Sequence, residues 1–198
     1  MKERFDRSFF ERYTPDVAKE LLGSLLVRRI GRRVISGKIV EVEAYRGEDD
    51  PASHAYKGLT KWTSVMFGEG GHAYVYLSYG ANRCLNVTTE KKGTPGAVLI
   101  RAVEPLVGIE LMKRRRGVAD LTEVTSGPGK LTKAMNIDLA LNGEDLVSSE
   151  RLYLLRGDAA TIEVGRSTRI GINPGADLVW RFFVSGNAFV SKGKPVRA

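Results

Sequence analysis

Glu41, Glu43 and Tyr45 alternate along Lys38-Ile39-Val40-Glu41-Val42-Glu43-Ala44-Tyr45, a run otherwise built mainly of β-branched and small residues. Successive side chains of a strand point to opposite faces. The two carboxylates and the phenol therefore project together, with Val40, Val42 and Ala44 behind them. A carboxylate in such a run is costly to bury unless it is paired or faces a wet cleft. Beside an aromatic ring it suits acid–base chemistry on a group that stacks. Arg101 interrupts a second apolar run, Ala97-Val98-Leu99-Ile100-Arg101-Ala102-Val103, and it also needs a partner. Glu43 and Arg101 could neutralise each other as a structural ion pair, or flank a water molecule in a cleft. The pattern alone leaves both open.

Other residues extend this set. Tyr74 and Tyr76 share one face of a strand, and Tyr79 precedes Gly80, where that strand turns. A tyrosine at such a tip could wedge between bases, while Tyr45 and Tyr76 could sandwich an extruded base. The plain alternative is ordinary strand tyrosines with their hydroxyls at the surface. His54 is a lone loop histidine, a type that more often makes surface hydrogen bonds than catalyses. Asn86, inside Cys84-Leu85-Asn86-Val87, must find partners if buried, and a base edge is one candidate. Ser126-Gly127-Pro128-Gly129-Lys130 opens a helix, where a glycine turn and a lysine can hold a phosphate or simply cap the helix. Its spacing is not that of a Walker loop.

Composition narrows the substrates. The 198-residue chain carries 31 Lys and Arg against 23 Asp and Glu, a formal charge of +8, which favours a polyanionic partner. One cysteine excludes an intramolecular disulfide and a four-cysteine iron–sulfur cluster. With only two histidines, a standard zinc site would need carboxylate help. No apolar run approaches transmembrane length and the first residues are charged rather than signal-like, so the expectation is a soluble intracellular protein with no membrane partner.

The elements that must position these residues can be read from pattern. Thr14-Pro15-Asp16 starts a helix, with Thr14 as capping hydroxyl; Val17, Ala18, Leu21 and Leu22 form its buried face, and Gly23 ends it. Strands are expected over 25–30, 34–45 with a possible bulge at Gly37, 72–78, 84–89, 97–104, 151–155, 162–164 and 180–184. Helices are expected over 106–116 and 130–137. A long loop over 46–71 reads as functional or mobile. Strands mostly follow one another directly, which favours a mixed, largely antiparallel α+β domain over a doubly wound one. No linker divides the chain, so residues 1–198 read as one domain with a basic, flexible tail over 191–198.

The segments Glu41-Val42-Glu43-Ala44-Tyr45, Asp50-Pro51-Ala52-Ser53-His54-Ala55-Tyr56, Val65-Met66-Phe67-Gly68 and Gly71-His72-Ala73-Tyr74-Val75-Tyr76-Leu77-Ser78-Tyr79-Gly80 resemble the alkyladenine (3-methyladenine) DNA glycosylase family. The resemblance continues through Cys84–Val87, Ala97–Pro105, Ser126–Leu131 and Arg169–Ile172, and runs from about the first helix to Arg181-Phe182-Phe183. It implies a single compact mixed α/β domain with a curved, mainly antiparallel sheet flanked by helices. It implies a monofunctional repair enzyme that flips alkylated or deaminated purines from duplex DNA and hydrolyses the N-glycosidic bond, with neither metal nor organic cofactor required.

By the same resemblance, Glu43 activates water and Arg101 helps hold it. Tyr45, His54 and Tyr76 stack on and contact the flipped base, and Asn86 rejects the exocyclic amine of guanine. Tyr79 fills the gap in the duplex, while Lys130, Arg169 and Gly171 contact the DNA backbone. A monomer acting on damaged double-stranded DNA follows, in the cytoplasm or nucleoid of a bacterium or the nucleus of a eukaryote. The chain departs from the family at Ala81-Asn82-Arg83, where larger residues, often methionine and an aromatic, usually follow the wedge tyrosine. Leu59-Thr60-Lys61-Trp62-Thr63-Ser64 also lacks the usual proline–arginine pair. A non-catalytic damaged-DNA-binding module and a hydrolase of small nucleosides are the rival readings.

Overall fold

The computed structural model describes residues 2–78, 80, 82–157, 162–173 and 175–192. Two short helices, α1 (Arg7–Phe10) and α2 (Thr14–Leu21), lead into strands β1 (Leu25–Ile30), β2 (Arg33–Tyr45), β3 (Ala73–Ser78), β4 (Asn82–Thr89) and β5 (Gly96–Val107). Helices α3 (Ile109–Arg116) and α4 (Pro128–Met135) follow, then β6 (Leu152–Leu155), β7 (Val164–Ser167) and β8 (Arg181–Val184). Every strand pairing is antiparallel, in the order β3-β4-β5-β2-β1-β6, with β8 joining β2 and carrying β7. The result is the mixed, mainly antiparallel α+β architecture expected. No helix among the described residues is long and apolar enough to cross a membrane.

The long strand β2 organises the sheet. Its first half pairs with β1, its last residues pair with β8, and its other edge runs along β5. Gly37 does mark a shift in register. A Cβ there would come within 2.7 Å of Val103, so only glycine lets the strands approach this closely.

Two more irregularities were not expected. Ile39 pairs with Val103 and Glu41 with Ala102, so Val40 is an extra residue on β2; Val42 then pairs with Ile100, so Arg101 is an extra residue on β5. Opposed bulges restore the register but flip the side-chain phase of both strands. Ile35 and Ile39 lie in the core below the bulge, and Val42 and Ala44 above it; on β5 the phase passes likewise from Val98 and Ile100 to Val103. Simple alternation would have put Glu41 and Glu43 on the face of Ile35 and Ile39. The bulge turns them to the opposite side.

The core lies between the sheet and the helices. Phe10, Val17, Leu21, Ile39, Val42, Ile100, Leu131 and Met135 are among its fully buried members. Helix α2 packs on β2 and β5, and α4 on β4 and β5.

Several elements differ from the sequence reading. Thr14 is not a cap: Tyr13 occupies that place, and the Thr14 hydroxyl instead donates to Glu90 (2.8 Å) in the β4–β5 turn and shares a hydrogen bond with Thr89 (2.9 Å). Strand β5 runs on through Leu106 and Val107, so α3 starts at Ile109, after Gly108 makes a left-handed turn at φ 78°. Helix α4 begins at Pro128 and ends at Met135, and β7 starts at Val164, where the chain meets β8. The first helix, α1, held by the Asp6 carboxylate accepting from Phe9 N–H (3.0 Å), was not anticipated.

Candidate active site

Glu43 is fully buried. Its Oε2 accepts from the Tyr45 hydroxyl (2.8 Å) and Arg101 Nη1 (3.1 Å), and its Oε1 accepts from the backbone N–H of Ile170 (2.7 Å). A carboxylate offers about four acceptor positions. Three protein donors therefore leave room for one more, and all three donating residues line a cavity of about 720 Å³. That volume falls within the usual range for a small-molecule site, roughly 300–1,000 Å³.

Glu41 differs although it stands two residues away. It too is fully buried, but it takes four donors: Arg101 Nε (2.9 Å), Arg181 Nε (2.8 Å), and the Ser191 N–H (2.6 Å) and hydroxyl (2.8 Å). Burial alone would raise the pKa of Glu41, but the two guanidiniums and the Ser191 N–H hold it below the usual carboxylate range. Burial disfavours the Arg101 charge, and the facing Glu43 and Glu41 carboxylates more than offset that, raising its pKa. The partnership foreseen for Glu43 and Arg101 is real, and Glu41 and Arg181 complete it.

The aromatic wall comes from β2, β3 and the 51–56 turn. Tyr45, His54, Tyr74, Tyr76 and Asn86 all line the cavity. The Tyr74 and Tyr76 rings lie 5.4 Å apart, and His54 meets Tyr76 edge-on at 4.5 Å. His54 Nδ1 shares a 2.9 Å hydrogen bond with the Tyr74 hydroxyl, and burial lowers the pKa of His54. Desolvation pushes Tyr74 up to about 12, and raises Tyr76 and Tyr45 as well; beside Tyr45 the Glu43 carboxylate adds to the effect. These phenols therefore keep their protons. Asn86 is buried between Tyr74 on β3 and Leu99 on β5 and donates to the Tyr74 carbonyl (3.0 Å). Cys84, opposite Tyr76, is a buried thiol in the same wall, its pKa raised by desolvation.

Arg169 requires a correction. Expected at the DNA backbone, it is instead fully buried beneath the site, where no phosphate can reach it. Its guanidinium grips Asp50 at 2.6 and 2.7 Å, donates to the carbonyls of Ala44 (2.9 Å) and Gly175 (3.1 Å), and lies 4.6 Å from the Tyr45 ring. This anchor fixes the 169–173 segment, so that the next residue, Ile170, aims its N–H at Glu43. Lys130 is partly exposed, bonded to Glu123 and to the Ser126 hydroxyl (3.3 Å), two residues from the cavity-lining Pro128. Gly171 lines the cavity with open space on its Cα. Tyr79 and Ala81 lie outside the described residues, whereas Asn82 and Arg83 are exposed at the start of β4. Ser191, assigned to a loose tail, is tied to Glu41; residues 193–198 lie outside the described set.

Sequence reasoning missed the Ile170 N–H, the roles of Glu41 and Arg181, and the Asp50–Arg169 pair. The alternation of Glu41 with Glu43 was a usable signal, and Ile170 stood inside a matched segment. Nothing local marked Asp50 and Arg169, which are 119 positions apart. Among the described residues, no group of three or more His, Cys, Asp or Glu side chains is placed to hold a metal ion.

The family model described as methylpurine-DNA glycosylase (MPG) matches residues 8–188. A protein of Carboxydothermus hydrogenoformans is 49% identical over 187 residues, 94% of this chain and 97% of its own length. A protein of Methanoculleus marisnigri is 47% identical over 93% of this chain and 97% of its own, and one of Chlorobaculum tepidum 43% over 98% and 93%. All three carry the name "Putative 3-methyladenine DNA glycosylase".

Proposed function

This chain belongs to the methylpurine-DNA glycosylase family, a family of DNA base-excision repair enzymes, and from that premise we propose that it excises alkylated or deaminated purines from duplex DNA by hydrolysis with a water activated by Glu43. The observation that carries the reading is the partly filled coordination of Glu43 beside an aromatic cavity. A damaged purine, turned out of the duplex, enters between Tyr45 and the Tyr76–His54 pair. Its extrusion costs a few kcal/mol, least at a damaged or mispaired base. A ring-alkylated purine is cationic, and stacking on neutral tyrosine faces is worth about 1–2 kcal/mol once water is excluded.

Glu43 takes a proton from water as the water oxygen bonds to the deoxyribose C1′. The N-glycosidic bond breaks, and its electron pair leaves with the base. The negative carboxylate also stabilises the oxocarbenium character that the sugar gains on the way. Arg101 and the Ile170 N–H hold the carboxylate in place. Asn86, held by the Tyr74 carbonyl, is assigned to turn away the exocyclic amine of guanine. Tyr79 is assigned to the gap left in the duplex, and Lys130 and the Gly171 backbone to phosphate. The enzyme acts as a monomer and leaves an abasic site on an uncut strand.

Single-turnover base release from a duplex carrying one hypoxanthine, and from methylated DNA, tests this directly. Free base and an uncut abasic strand are expected, with release falling about 10²–10⁴-fold in Glu43→Gln while lesion binding is retained. Near-normal release by that variant would refute the role of Glu43. Binding without release by the wild-type chain would leave a damaged-DNA-binding module.

A further inference from the structure

Ser191 lies beyond residues 8–188, the span that the family match covers, yet it enters the buried charge set behind the cavity. After β8 the chain folds back along β5. Asn187 donates to Glu104 (3.0 Å), and Ser191 then reaches Glu41 through both its N–H and its hydroxyl. The same hydroxyl accepts from Arg101 Nη2 at 3.4 Å. Arg101 is thus held on three sides: Nε by Glu41, Nη2 by Ser191 and Nη1 by Glu43.

An arginine facing one carboxylate commonly binds it through two parallel N–H bonds. Such a fork would occupy both oxygens of Glu43 and compete with an incoming water. Here Glu41 draws the Nε edge away, and a single N–H reaches Glu43. Glu41 and Ser191 both bond Arg101, which lines the cavity, and so act through it. The bulges at Val40 and Arg101 serve the same arrangement, since they bring Arg101 between the two carboxylates.

We propose that Glu41, locked by Ser191, is a positioning residue that turns Arg101 to give Glu43 one N–H and leave that carboxylate free to accept water. The proposal rests on the reading of Glu43 as the water-activating group. It makes the segment after β8 a working part of the site rather than a tail.

Glu41→Gln and Ser191→Ala test it, read by single-turnover release alongside lesion-duplex affinity. In Glu41→Gln, release should slow about 10- to 100-fold, as expected for a misplaced catalytic group, with affinity unchanged within about twofold. Ser191→Ala decides the matter if Glu41→Gln does not fold: it should slow release about 3- to 10-fold, and Ser191→Thr, which restores the hydroxyl, should recover it.

Wild-type rates in folded Glu41→Gln, or in Ser191→Ala where the former does not fold, overturn the proposal. So does loss of lesion affinity in step with rate. These failures are distinct from failure of the underlying reading, which would appear as no release by the wild type or full release by Glu43→Gln.

Discussion

Two buried arginines flank Tyr45, and they serve opposite ends. On one side Arg169 is sealed away, its guanidinium forked onto Asp50 and tied to two carbonyls. Asp50 in turn accepts from the backbone N–H groups of Arg46 (3.0 Å) and Ala52 (3.1 Å). On the other side Arg101 borders the cavity, shared between two carboxylates, and one of those keeps an acceptor position unused by the described protein groups. Both pairs bear the desolvation cost of buried ions, several kcal/mol for each ion before partners are counted. What separates scaffold from chemistry is therefore not burial or charge but how far the carboxylate is filled: Asp50 accepts from four protein donors, whereas Glu43 accepts from three, all from residues that line the cavity.

Substitutions on each side should separate rate from stability. The largest effect belongs to the open side. Glu43→Gln should lose about 10²–10⁴ in excision rate, equivalent to roughly 3–5 kcal/mol of barrier, while urea unfolding shifts far less. Asp50→Ala should do the reverse. It strands the Arg169 charge in the interior and should cost about 3–5 kcal/mol in unfolding free energy, measured by urea titration. If Asp50→Ala were as stable as the wild type, the closed pair would not be the scaffold its geometry describes. Tyr45→Phe lies between the two sets. It keeps the ring against Arg169 but removes the hydroxyl that donates to Glu43, so excision should slow by about tenfold with roughly 1–2 kcal/mol of lost stability. Equal rates for the two proteins would remove Tyr45 from the support of Glu43.

What the sequence made legible follows the same division. Alternation along 38–45 correctly grouped Glu41, Glu43 and Tyr45, because strand periodicity is local. The strands read over 25–30 and 72–78 were legible for the same reason and stand at Leu25–Ile30 and Ala73–Ser78. The opposed bulges were not, since they arise from pairing between residues about sixty positions apart. Family resemblance brought Glu43 and Arg101 together as a pair, but it misassigned Arg169 to the DNA surface. An arginine between Thr168 and Ile170 reads as basic surface until the partner 119 residues earlier is in place. Thr14 carried every local sign of a helix cap, yet its hydroxyl is claimed by Glu90 across the core edge. Ser191 carried no sign at all, because a serine in a basic terminal stretch signals neither burial nor a carboxylate partner.

The smallest predicted effect lies away from both arginine sets and checks that stability can be altered without touching the chemistry. Asp145 accepts from Arg7 Nη2 (2.8 Å), the Ser148 hydroxyl (2.7 Å) and the Val147 N–H (3.0 Å), and so ties α1 to the turn after residue 144. Burial works against its charge, but these donors and the Arg7 guanidinium lower its pKa from 3.8 to about 2. A carboxyl whose folded pKa is depressed contributes stability that is complete above the unfolded value and lost as pH falls through the folded one. The relevant window therefore runs from just above pH 3.8 down to about pH 2. The side chain is 29% exposed, so solvent screening reduces the gain to about 1–2 kcal/mol. Asp145→Asn should lose that amount at neutral pH and flatten the acid side of the stability curve across this window, with excision at neutral pH unchanged. An equal loss of excision would mean that the α1 clamp is coupled to the cavity, and the boundary between closed scaffold and open site would have to be drawn more widely.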